Sequence, residues 1–108
     1  MYSQNLNNFI LNTDSYKTSH WLQYPPNTEY VSSYIEARGG SSGFDNVLFF
    51  GLQAFLKAYL CQPICQADIK EAKELLAAHG VPFNERGWQR LSTKHGGYLH
   101  LRIQALPE

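Results

Sequence analysis

Asp14, Tyr16 and Lys17 in "TDSYKTSH" put an acid, a phenol and an ammonium into one short turn, ahead of Pro25 and Pro26. On residue type alone the plainer reading of that group is a capped surface helix. A second candidate is Arg38, which follows an alternating run and precedes "GGSSG" (Gly39 to Gly43). Its guanidinium fork and the free backbone N–H groups of such a loop suit a phosphate. The spacing of "RGGSSG" matches neither the P-loop nor the dinucleotide fingerprint. Glu36 shares the Arg38 face and could simply pair with it, an exposed contact worth roughly 0–1 kcal/mol. The four histidines, His20, His79, His95 and His100, are scattered, and none stands at a spacing that activates a Ser or Cys nucleophile. Cys61, Cys65, His79 and His95 are the available soft ligands. Fourteen residues separate Cys65 from His79 and sixteen more separate His79 from His95. A zinc finger would place its second His only about four to six residues on. Neither cysteine is therefore expected to hold a metal or form a disulfide.

These groups sit in 108 residues that are 44% hydrophobic, with seven Tyr, six Phe and two Trp. That is the composition of one folded domain, which at this size buries roughly two-thirds of its unfolded surface. Nine Lys/Arg balance nine Asp/Glu, so no basic stripe is present to neutralise a phosphate backbone, and nucleic-acid binding is not expected. No apolar run approaches the roughly 18 residues a membrane helix needs, and no signal peptide is evident. The chain reads as cytoplasmic.

The elements that must position the candidates follow from local signals. Thr13 or Asp14 can cap a short helix to about Leu22, which "QYPP" ends. Alternation predicts a strand over 30–38 and another over 98–105, and the continuous apolar run Val47 to Phe50 predicts a well-buried strand over 46–50. Leu52, Phe55, Leu56 and Tyr59 make a helical stripe that closes at Pro63. A helix starting near Cys65 to Gln66 would turn Ile69, Ala72 and Leu76 inward and stop at Gly80. The last helix is capped by Asn84, with Phe83 and Trp88 placed as a hydrophobic staple, and ends at Gly96 and Gly97. The expected fold is α+β, an antiparallel sheet with three to four helices packed on it.

Four stretches, "TDSYKTSHWLQYPPNTEYVSSYIEARGG", "FFGLQAFLKAYL", "FNERGWQRL" and "LRIQALPE", resemble the N-terminal domain of the nicotinamide phosphoribosyltransferase family. The resemblance runs in order along nearly the whole chain. Nicotinate phosphoribosyltransferases often share a Thr-Asp-x-Tyr opening, but "TDSYK" followed by His20 and "QYPP" fits the nicotinamide-using branch better. The Gly39-Gly40-Ser41-Ser42 run resembles bacterial or phage members, where other members carry further charges.

The resemblance implies an enzyme that joins nicotinamide to phosphoribosyl pyrophosphate, giving nicotinamide mononucleotide and pyrophosphate in NAD salvage. It implies that Tyr16 stacks on the pyridine ring, that Asp14 supports the pocket edge and that Arg38 binds phosphates of phosphoribosyl pyrophosphate. Lys17 and His20 keep both readings, site or surface. The family's catalytic barrel domain lies beyond these residues. Residues 1–108 thus read as a single N-terminal domain, without catalytic or metal-binding residues and inactive alone. Its partners are its own barrel domain and a second subunit that together complete the site. No cofactor belongs to this stretch, whereas Mg²⁺ serves the full-length enzyme and ATP coupling is left open. Two alternatives stay open, a nicotinate phosphoribosyltransferase domain and a free-standing, non-catalytic binding module.

Overall fold

The helix Gln66–Ala78 supplies most of the buried core and the helix Glu85–His95 packs beside it, and at the start of each a side chain accepts a free backbone N–H. The computed structural model describes residues 8–39, 43 and 45–108. Phe9–Leu11 is a single 3₁₀ turn and Ser15–Gln23 a longer 3₁₀ helix. Helix α1, Leu52–Phe55, continues as one π turn over Leu56–Leu60, where the Cys61 N–H reaches back to the Leu56 carbonyl at 2.9 Å. Helices α2, Gln66–Ala78, and α3, Glu85–His95, follow.

At the start of α2, the Asp68 carboxylate accepts the Cys65 N–H at 3.0 Å and lies 3.3 Å from its thiol. A negative charge there also suits the positive end of the helix dipole. Asn84 accepts the Gly87 N–H at 3.0 Å and so caps α3 as expected. Both helices end at glycines of positive φ, Gly80 at 71° and Gly96 at 64°. The inward face of α2 is the expected one: Ile69, Ala72 and Leu76 are buried. Ile69 and Ala72 join Ile10 and Ile64 in one cluster, with Phe83, Trp88, Leu91 and Leu99 packed around it.

Two polar devices close this core. Asn8 is buried, accepts the Ile10 N–H at 3.2 Å, and donates to the Asp68 carbonyl at 3.0 Å and to Glu71 Oε1 at 2.9 Å. It thereby ties the start of the described chain to α2. At the far side, the Ile64 N–H donates to the Gly97 carbonyl at 2.8 Å. Gly97 has φ of 84°, and a Cβ there would collide with the Ile64 carbonyl oxygen.

The expected α+β fold is overturned. Among the described residues there is no strand, and helices pack on one another rather than on an antiparallel sheet. No backbone hydrogen bond joins 30–38 to 45–50 or to 98–105. Alternation says which side chains a strand would turn to a core, but a strand exists only where a neighbour pairs its backbone groups. Here neither face of 30–38 finds one: Tyr30 is 89% exposed on one face and Ile35 102% on the other. Leu48 and Phe50 stand similarly open. The Cα radius of gyration is 16.2 Å, against about 13 Å for a packed domain of this length. The chain combines a helical core with long irregular segments that face water.

Candidate functional site

Asp14 precedes the 3₁₀ helix in extended geometry, and Tyr24 leaves it extended as well, at φ −72° and ψ 141°. Pro25 enforces that exit, because a residue before proline is driven from helical backbone. Two hydroxyls bond back onto the backbone of this segment. Thr18 Oγ1 donates to the Ser15 carbonyl at 2.6 Å, and Ser19 Oγ to the Tyr16 carbonyl at 2.8 Å. Each bond draws a side chain back onto the carbonyl three residues earlier.

With three residues per turn, positions i and i+3 lie one above the other. Asp14 and Lys17 accordingly form an ion pair at 3.4 Å. The Lys17 Nζ stands over the Tyr16 ring, 5.8 Å from its centroid. His20 approaches the same ring edge-on, with centroids 5.7 Å apart and planes at 62°. Nothing on this helix is buried, and Tyr16 keeps 59% of its surface open. The result is an aromatic plate with an ammonium on it and an imidazole beside it, carried on a short 3₁₀ helix. Such a plate can take a second flat ring by offset stacking.

Arg38 lies elsewhere. It sits on the extended stretch, exposed, and its side chain forms no ion pair among the described residues. The suggested Glu36–Arg38 pair does not form. Gly40, Ser41 and Ser42 of the expected phosphate loop lie outside the described residues. Asp14, Tyr16, Lys17 and His20 therefore come together, while Arg38 is not in contact with them.

Elsewhere, an aromatic cleft was not foreseen. Phe9, Phe55 and Tyr59 cluster, with Phe55 and Tyr59 centroids 4.8 Å apart and Phe9 and Tyr59 5.8 Å apart. Beside Phe9 and Tyr59 opens a cleft of about 460 Å³, bounded also by Gln62, Ile64 and Asp68 and by none of the predicted site residues. The i, i+4 spacing of Phe55 and Tyr59 was the available signal, and it reads equally well as a core stripe. Cys61 and Cys65 are exposed free thiols. Among the described residues no three His, Cys, Asp or Glu side chains stand together as metal ligands, and no helix is long and apolar enough to cross a membrane.

Residues 8–103 match the family described as nicotinamide phosphoribosyltransferase, N-terminal domain. The chain belongs to that family. Its relatives include a nicotinamide phosphoribosyltransferase of Xanthomonas campestris, 55% identical over 103 residues, which is 95% of this chain and 22% of that protein. A second, from Acinetobacter baylyi, is 31% identical over 112 residues, 88% of this chain and again 22% of the relative. The chain thus spans about a fifth of the length of the relatives it matches. The Tyr16 turn and Arg38 both fall inside the matched residues.

Proposed function

We propose that this domain supplies one wall of the nicotinamide site in an enzyme that condenses nicotinamide with phosphoribosyl pyrophosphate. The observation that carries the reading is the open Tyr16 ring, fixed by Lys17 and His20 on a turn inside a matched nicotinamide phosphoribosyltransferase domain. Tyr16 stacks on the pyridine ring and Asp14 borders the pocket. Arg38 grips phosphate oxygens of phosphoribosyl pyrophosphate with a planar fork that a lysine lacks.

The remaining work falls to other parts of the protein. Transfer to nicotinamide develops positive charge at the anomeric carbon and negative charge on departing pyrophosphate, while the ring nitrogen must be held in line. One arginine and one aromatic wall cannot supply all of that. In this reading the remainder of a polypeptide of the relatives' length, folded as a barrel domain, and a second subunit complete the site. Mg²⁺ would neutralise the leaving pyrophosphate there, and any coupling to ATP would also be sited there. The described residues include no cluster fit to hold the metal. In this reading the enzyme works in the cytoplasm, where its two cysteines would stay reduced.

Paired substitutions in the full-length enzyme test this. Tyr16→Ala should weaken nicotinamide by about 1–3 kcal/mol through lost stacking and burial, with phosphoribosyl pyrophosphate unaffected. Arg38→Ala should raise KM for phosphoribosyl pyrophosphate and spare nicotinamide, with Arg38→Lys only partly restoring it. If either substitution changed both substrates equally, neither side chain would have the assigned role.

A further inference from the structure

Tyr16 is not a bare ring: a cation already occupies one of its faces. Lys17 Nζ lies 5.8 Å from the ring centroid, within the distance at which an ammonium is drawn to an aromatic face. The Asp14 carboxylate, 3.4 Å from the same nitrogen, anchors it there. His20 packs against the same ring at a steep angle rather than stacking on it, with planes at 62°. A ligand ring that stacks on Tyr16 therefore meets the other face, with an ammonium behind it.

We infer that Lys17 is a specificity-determining residue that acts through Tyr16 to disfavour the cationic product ring relative to the neutral substrate ring. This rests on the stacking reading proposed above. In the transfer, the lone pair of the pyridine nitrogen forms the bond to the anomeric carbon as the bond to pyrophosphate breaks and its electron pair leaves with that group. The nitrogen becomes quaternary, so a neutral pyridine enters and a pyridinium departs. An unmodified tyrosine would hold the pyridinium better, because the negative face of its ring attracts cations. Lys17 reverses that preference in two ways. Its charge draws the ring electrons toward its own face and leaves the far face less negative, and it repels a second positive charge across the ring. Tyr16 is left as a stacking surface for a neutral heteroaromatic ring and a poor resting place for its ribosylated form, which favours product release.

The test uses the full-length enzyme carrying Lys17→Met, which keeps the aliphatic stem and removes the charge, and Lys17→Arg, which keeps the charge. Dissociation constants are measured for nicotinamide, for nicotinamide mononucleotide, and for 1-methylnicotinamide, which has the cationic ring without sugar or phosphate. Lys17→Met should tighten both cationic ligands about two- to fivefold relative to nicotinamide, the range of an exposed cation–π contact. Lys17→Arg should leave the ratio near that of the parent. An unchanged ratio in Lys17→Met, or equal weakening of all three ligands, overturns the inference. So does a change confined to nicotinamide mononucleotide, since Lys17 would then be acting on the phosphate. Tyr16→Ala separates the two levels. If it leaves nicotinamide affinity intact, the stacking reading fails and the inference with it. If it weakens nicotinamide while Lys17→Met leaves the ratio unmoved, the inference about Lys17 alone fails.

Discussion

Gly96 and Gly97 are adjacent, both have positive φ, and both end α3, yet alanine should be tolerated very differently at the two positions. At Gly96, with φ 64°, an added Cβ would meet nothing nearer than Tyr98 Cδ2 at 3.7 Å, an ordinary contact. Only the left-handed backbone penalty applies there, about 1–2 kcal/mol, reduced by several tenths because alanine also restricts the unfolded chain. Gly97 carries the same penalty at φ 84°, but its Cβ would also overlap the Ile64 carbonyl oxygen and lie 2.9 Å from the Ile64 nitrogen. Those are backbone atoms and cannot swing aside as a side-chain end would. Relief requires moving the Ile64 backbone, which strains its 2.8 Å hydrogen bond to Gly97, worth about 0.5–1.5 kcal/mol. It also shifts the buried Ile64 within the core cluster, at about 1–3 kcal/mol for a disturbed fit. The sum is about 3–5 kcal/mol for Gly97→Ala against about 1 for Gly96→Ala. Urea unfolding followed by far-ultraviolet circular dichroism measures both. Equal destabilisation by the two substitutions would refute the claim that contact with Ile64, rather than backbone conformation, governs this corner.

Two more outcomes follow from the polar devices that close the helical core. Asn8→Ala should destabilise by about 1–3 kcal/mol, because it leaves the buried Ile10 N–H without its partner and removes the bonds that tie this turn to the Asp68 carbonyl and Glu71. Asn8→Asp should be nearly as costly, since it loses both donated bonds and sets a second carboxylate against Glu71; denaturant midpoints for the two variants check this. Asn84→Ala should cost about 0.5–2 kcal/mol by freeing the Gly87 N–H, and Asn84→Ser should recover most of it, read from thermal unfolding.

The helical half of this domain was legible in its sequence because its causes are local. The Asn84 cap, the stops at Gly80 and Gly96, and the burial of Ile69, Ala72 and Leu76 all depend on residues within a few positions of one another. The same holds for the meeting of Asp14, Tyr16, Lys17 and His20, which one turn of chain brings about. That Ser15–Gln23 winds as 3₁₀ was not foreseen, although its hydroxyl bonds are local too. The failure lies with the strands. Alternation over 30–38 and 98–105, like the apolar run at 46–50, is a statement about side chains, whereas a sheet is a pairing of backbones, and whether a partner lies alongside is decided only by the tertiary arrangement. Asn8 shows the same limit from the other side. Nothing near it in sequence marks it as buried, because its partner Glu71 is 63 positions away. The relation of Arg38 to Tyr16 is of this second kind. Side-chain type and spacing determine what a residue can do and which way a helix faces, but contacts between distant segments exist only once the packed chain has offset the entropy of bringing them together.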